Sequence, residues 1–123
     1  MDLFDTTQTA LERAMSGTSA RQAALAQNLA NANTPGYQRS DVDFQSALAQ
    51  AFSSGTPPTT SQLDQITFSP QVSSTGAMQV DGNTVDINTE NADLSENTLD
   101  YQALESVMGT RMSILKTAIG STS

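Results

Sequence analysis

The chain has no histidine, no cysteine and no tryptophan. Without His and Cys, neither a Ser-His-Asp triad nor a Cys-His nucleophile can be built. Zinc sites with His or Cys ligands are excluded as well. No disulfide can form, so an oxidising compartment is neither indicated nor excluded. Positive charge is also scarce, with five Lys and Arg against 13 Asp and Glu and a net charge of −8. Such a chain repels phosphate backbones and anionic lipid surfaces, so no nucleic-acid partner is expected. No apolar run approaches the roughly 18 residues of a membrane span. The start, Met1-Asp2-Leu3-Phe4-Asp5, has no basic region and no apolar stretch, and is not expected to be a cleavable signal peptide.

Large apolar residues are few. Ala, Val, Ile, Leu, Met, Phe and Gly make up 50 of 123 residues, about 41%, below the roughly 45–50% of globular domains. Fifteen of those 50 are Ala, and Ser and Thr number 31. Only a small core can be buried by one copy. Such a chain either stays partly disordered or completes its burial against other subunits.

What is present divides into two helical ends around a turn-rich centre. Residues 53–88 hold three of the four prolines, three of the seven glycines, three acids and no base. Residues 1–33 read as a long helix, with its pattern closing near residue 31. Phe4, Leu11, Met15, Leu25 and Leu29 lie on or near one stripe. Asp2 and Asp5 suit the positive end of its dipole. Gly17 predicts a soft point, and Asn31 a left-handed stop. Thr34-Pro35-Gly36-Tyr37 spells a type II turn, with Gly36 supplying the positive φ. Within residues 34–52, Ser40 and Asp43 match a helix-start pattern. Phe44, Leu48 and Phe52 then recur every fourth residue, predicting a short helix over 41–52.

Residues 53–88 predict a mobile linker to about residue 65, then strands at 65–69, 77–80 and 84–87. Asp81-Gly82-Asn83 supplies a hairpin turn between the last two. Residues 89–123 read as the second long helix. Leu94, Tyr101, Met108 and Leu115 repeat at seven, while Leu104, Met112 and Ile119 widen the seam. Its acids come first and Arg111 and Lys116 last, as the macrodipole favours. Each long helix would run about 45 Å at 1.5 Å per residue. The expected fold is mainly α: two long terminal helices pairing as a coiled coil, a short third helix and a small irregular or β-hairpin centre. Both terminal segments would form one assembly domain, with ten interface residues: Leu11, Met15, Leu25, Leu29, Tyr101, Leu104, Met108, Met112, Leu115 and Ile119.

Two chemical readings are weaker than their structural alternatives. The oxygen-rich run from 81 to 90 invites calcium, but its glycine is second and its closing Glu tenth, against sixth and twelfth in an EF-hand. A turn leading into a helix start accounts for it. Asp41 and Asp43 are paired carboxylates, but acids at a helix start are ordinary caps. No catalytic residue, cofactor or metal is expected, and no small-molecule substrate.

The run Arg21-Gln22-Ala23-Ala24-Leu25-Ala26-Gln27-Asn28-Leu29-Ala30-Asn31-Ala32-Asn33-Thr34-Pro35-Gly36-Tyr37 resembles the N-terminal signature of bacterial flagellar rod and hook proteins. The matching positions are Asn28, Asn31, Thr34, Pro35, Gly36 and Tyr37. Arg39-Ser40-Asp41-Val42-Asp43-Phe44 resembles the proximal-rod members, the FlgB type. So do Asp81-Gly82-Asn83-Thr84-Val85-Asp86 and Asn97-Thr98-Leu99-Asp100-Tyr101-Gln102-Ala103-Leu104. The likeness spans residues 1–50 and 77–120. Distal-rod and hook proteins are much longer. The other small proximal-rod type carries a Pro-His-Pro segment and a Gly-Tyr-Val that are absent here.

The resemblance implies a structural subunit of the basal body that polymerises into the torque-carrying rod. Its partners would be copies of itself, neighbouring rod proteins, proteins at the inner-membrane ring and export-gate junction, and the type III export apparatus. Export would need no cleavable signal. The competing reading is an acidic helical export chaperone or adaptor that holds a partner helix in its groove.

Overall fold

The computed structural model describes residues 2–120, with side chains from residue 5. Phe4, placed on the first stripe by its sequence position, therefore has its side chain outside the described residues. Six elements follow in order. They are α1 (Asp2–Ala30), β1 (Ser40–Asp41), α2 (Phe44–Phe52), α3 (Thr60–Asp64), β2 (Gln71–Val72) and α4 (Ile87–Gly120). Mainly helical architecture with two long helices is the fold expected from the sequence. The strands form one antiparallel pair, Ser40 opposite Val72 and Asp41 opposite Gln71.

α1 and α4 lie antiparallel. Asn28 meets Glu90, Thr18 meets Asn97, and Gln8 meets Met108, so one numbering rises as the other falls. The facing rows are poor in large apolar residues. Leu25 and Thr18 are buried on α1, Glu90 and Asn97 on α4. The apolar core sits on another face of α1, where Ala24, Val42 and Phe44 are joined by Ala20, Leu48 and Phe68. The Phe44 and Phe68 rings meet edge to face at 6.4 Å.

Gly17 is not a soft point, because α1 runs through it unbroken. A Cβ there would stand 2.4 Å from the Phe44 Cβ. Glycine gives up about 1 kcal/mol of helix propensity and in exchange lets Phe44 close onto the helix backbone.

The centre differs from expectation in three places. Ser40 does not cap α2. Its amide and carbonyl both bond the Asn28 side chain, at 2.9 and 2.7 Å, which draws it into β1. Asp43 is the cap, accepting from the Ser46 amide at 3.1 Å. The expected linker contains α3, started by a Thr59–Gln62 capping box and anchored by fully buried Leu63. Of the three expected strands none forms. Residues 79–84 instead fold as a turn against the α1 terminus, with Gln79 N donating to Asn83 O at 2.8 Å and Thr84 N to Tyr37 O at 3.0 Å.

Candidate assembly surface

α1 ends where an asparagine from far along the chain reaches it. Asn83 Nδ2 donates to the carbonyls of Asn31, Ala32 and Thr34 at 3.0, 3.0 and 2.8 Å. Its Oδ1 accepts from the Val85 amide at 2.7 Å. A helix end leaves four carbonyls without intrahelical donors, and a buried amide with two hydrogens suits them. The expected left-handed Asn31 is absent, since among the described residues only glycines have positive φ. Asn31 contributes its side chain instead, bonded to Gln27 O at 2.9 Å and accepting from the Thr34 hydroxyl at 3.2 Å.

The turn at 34–37 has the predicted geometry. Gly36 has φ +72°, and Tyr37 N donates to Thr34 O at 3.2 Å. Pro35 is exposed. Gly36 N also donates to Asp81 O at 2.9 Å, tying this turn to the one at 79–82. Tyr37 is half-buried, and its hydroxyl donates to Asn28 Oδ1 at 3.2 Å. Asn28 is wholly buried with its bonding capacity filled. It accepts from Tyr37 and Ser40 and donates to Ser40 O and, at 3.1 Å, to Glu90 Oε2.

Glu90 is wholly buried, and its second oxygen accepts from Arg39 Nε. Arg39 is the hub of this end. Its Nη1 donates to the Ser73 and Thr75 hydroxyls at 2.9 and 3.2 Å, and its Nη2 lies 3.6 Å from both Asp41 and Asp93. Arg21 pairs with Asp41 at 3.0 Å. Burial opposes both guanidinium charges, but the bonds to Asp41 and Glu90 and the surrounding carboxylates outweigh it, so both pKa values rise. The two suspected chemical sites are thereby accounted for as structure. Asp41 is an ion-pair partner and Asp43 a helix cap. Asp81 accepts from the Asn83 amide, and Asp86 from the amides of Asn88 and Thr89 at the start of α4. Among the described residues no cluster of His, Cys, Asp or Glu fits a metal ion.

Midway along the helix pair, buried Asn97 donates to Thr18 O at 2.9 Å and Gln22 Oε1 at 2.8 Å. Beyond it Gln8 Nε2 still donates to Met108 Sδ at 3.2 Å, and past that contact the end of α4 is exposed. The ten interface positions divide here. Leu25 is fully buried. Leu11, Met15, Leu29, Leu104 and Met108 are half-buried along the seam. Tyr101 and Leu115 sit at its exposed edge, and Met112 (54% exposed) and Ile119 (74%) are exposed toward the end of α4. The sequence pattern had not marked Val107 and Ile114. Together with Leu11, Leu115 and Thr7 they line an open groove of about 510 Å³ between the two helices. Residues 107 and 114 repeat at seven, so periodicity alone could have found them. No local signal marked Arg39, Glu90, Asn83 and Asn97 as bonding partners across the fold, because the groups they bond lie tens of residues away.

Comparison with known proteins places this arrangement. The model of a family described as flagella basal body rod protein matches residues 9–38, the second half of α1 and the turn included. The flagellar basal body rod protein FlgB of Bacillus subtilis is 32% identical, over 97% of each chain. That of Salmonella typhimurium is 32% identical over 91% of each. FlgB of Cereibacter sphaeroides is 37% identical over 77% of this chain and 79% of its own.

Proposed function

This chain belongs to the FlgB family of flagellar basal-body rod proteins, a structural subunit of the rod and not an enzyme, and from that premise we propose that it polymerises through the paired helices α1 and α4. The observation that carries the reading is the open end of the pair. Val107, Ile114, Leu115, Met112 and Ile119 leave apolar surface on several faces of α4, more than one copy of α1 covers. Such surface is stable in water only when neighbours cover it, and each aliphatic side chain buried returns roughly 1.5–3 kcal/mol. Residues 1–33 and 89–123 act as one assembly domain, and residues 34–88 pack along α1 from its C-terminal end to Arg13, which pairs with Asp64 at 3.3 Å.

The neighbours are copies of this chain, adjacent rod proteins and proteins of the inner-membrane ring and export-gate junction, on the periplasmic side. The subunit reaches them unfolded through the type III export apparatus and takes its place in the torque-transmitting tube. A small core supports that route, because little structure must be undone. No described helix is long and apolar enough to cross a membrane.

Complementation of a non-motile deletion strain with Leu115→Asp tests the reading. The charge falls on the rim of the groove, where one copy alone tolerates it and a covered interface does not. Swimming and rod assembly are expected to be lost while the soluble chain keeps its helix content. Full swimming with normal basal bodies would overturn assembly through this end.

A further inference from the structure

We propose that residues 73–85 form a strap that closes only when the start of α4 is seated, with buried Arg39 as the lock between them. The strap has little apolar surface to hold it. Of its residues only Asn83 and Val85 are buried, while Met78 is 66% exposed and Val80 fully so. A segment with so few apolar contacts stays closed only where polar bonds hold it.

Many of those bonds converge on one residue. Arg39 N donates to Thr84 Oγ1 at 2.9 Å, and Arg39 O accepts from Ser73 N at 2.9 Å. Arg39 Nη1 donates to the hydroxyls of Ser73 and Thr75 at 2.9 and 3.2 Å. In the closed strap the Arg39 side chain is only 7% exposed. A charge so enclosed needs a counter-charge. Three carboxylates lie near it, and two of them, Glu90 and Asp93, belong to α4. The third, Asp41, is 3.6 Å away and is shared with Arg21 at 3.0 Å. With α4 unseated, closing the strap would trade water around the guanidinium for two hydroxyls and a shared carboxylate, so the open strap wins.

The dependence runs both ways. Glu90 is wholly buried, and its partners are Arg39 and Asn28. The start of α4 therefore settles onto α1 together with the strap. Closure also delivers Asn83 to the carbonyls of Asn31, Ala32 and Thr34. The end of α1 is capped only in a copy whose two long helices have paired. The apolar cluster of Ala24, Val42 and Phe44 contains no residue of α4 and is free of this dependence.

The inference concerns the single chain and stands apart from the rod reading. Its test is amide hydrogen exchange on the full chain. Glu90→Gln keeps the size of the side chain and removes its charge. The amides of Ser73 and Thr84, bonded to Arg39 O and Tyr37 O, are expected to exchange at least about tenfold faster. The Ala47 amide in α2 should change less than about threefold. Asp41→Asn removes the acid outside α4 and should free the strap much less than Glu90→Gln does. Unchanged strap protection in Glu90→Gln overturns the proposal, as does an equal or larger effect of Asp41→Asn. Should Glu90→Gln unfold the chain outright, wild type in urea below its midpoint decides. The strap amides and the Glu90 amide, which donates to Asp86 O at 2.9 Å, should then open together at one urea dependence. A strap that opens while the Glu90 amide stays protected would show that no lock joins them.

Discussion

The two ends of the α1–α4 pair are built on opposite plans. At the closed end a set of buried polar groups is paired within one chain, although Arg39 Nη2 meets its carboxylates only as ion pairs at 3.6 Å. Asn28, Asn83, Glu90 and Arg39 join segments more than 50 residues apart. At the open end Val107, Met112, Ile114, Leu115 and Ile119 are apolar and exposed. Polar networks demand specific geometry and are costly when incomplete, so they define one conformation in a single copy. Apolar surface is indifferent to its partner and joins whichever neighbour covers it. On the assembly proposed above, the difference separates what the subunit completes by itself from what is left to the rod.

The strongest test of this contrast removes the acid at the centre of the closed end. Glu90→Ala leaves Arg39 buried without its main partner and deprives Asn28 Nδ2 of an acceptor. Breaking a buried pair costs about 3–5 kcal/mol, and Asp41 and Asp93 at 3.6 Å keep the expected loss near the lower figure. Urea unfolding followed by circular dichroism would read it. A midpoint equal to wild type would mean that the polar network does not hold the closed end.

The next effect is steric and also belongs to the closed half. Gly17→Val places carbon where Phe44 already stands, with the Cβ contact at 2.4 Å. The approach is to the Phe44 Cβ, so rotation of the ring does not relieve it. Overpacking of this kind costs about 1–3 kcal/mol, more than the roughly 1 kcal/mol recovered by replacing glycine within a helix. A lower unfolding midpoint is expected. A higher midpoint would show that α2 shifts outward freely and that the notch is not a fixed contact.

The same division explains what the sequence revealed. Both long helices were legible because 3.6-residue periodicity is local. The turn at 34–37 was legible because proline and glycine constrain φ at their own positions. Leu11 follows from the stripe of the first helix, Met108 from the heptad of the second and Leu104 from the positions that widen it. Met112 and Ile119 share that pattern but lie exposed toward the end of α4, and α4 turns Glu90 and Asn97 toward α1 as well. A hydrophobic count passes over such polar residues. The Thr59–Gln62 capping box was present in the text but hidden by two prolines before it. The expected strands at 77–87 failed for a longer-range reason. Asn83 is consumed in capping α1, and that demand comes from a helix 50 residues earlier. Gly17 reads as a defect until Phe44 is placed against it.

At the open end a comparable mutation should do almost nothing to the isolated chain. Ile114 is 64% exposed, so Ile114→Ser removes little buried surface. Exposed substitutions of this type stay within about 0.5 kcal/mol. Swimming in soft agar should nevertheless fall, because on the proposed assembly the groove it lines is covered in the rod. A stability loss of the size expected for Glu90→Ala would show that the open end is already packed in one copy and erase the contrast.

The smallest effect tests whether the exposed margin of the closed end contributes anything on its own. Asp43 caps α2, and hydrogen bonds from the Ser46 hydroxyl and then the Ser46 amide lower its pKa below the usual aspartate value. The folded state therefore binds the proton less readily than the unfolded chain. The stability this supplies is fully present above the unfolded pKa of about 4 and is lost as pH falls through the lower folded value. Asp43 is solvent-exposed, so screening keeps the contribution small. Asn caps a helix about as well as Asp but does not titrate. The stability difference between wild type and Asp43→Asn should be flat from pH 7 to 5, then move against wild type as pH drops toward 3. Unfolding midpoints for the two chains across that range would measure it at low salt. A constant difference throughout would mean that the Ser46 bonds hold the helix start equally well whether the carboxyl is charged or neutral, and that the charge of Asp43 plays no part in fixing α2 against α1.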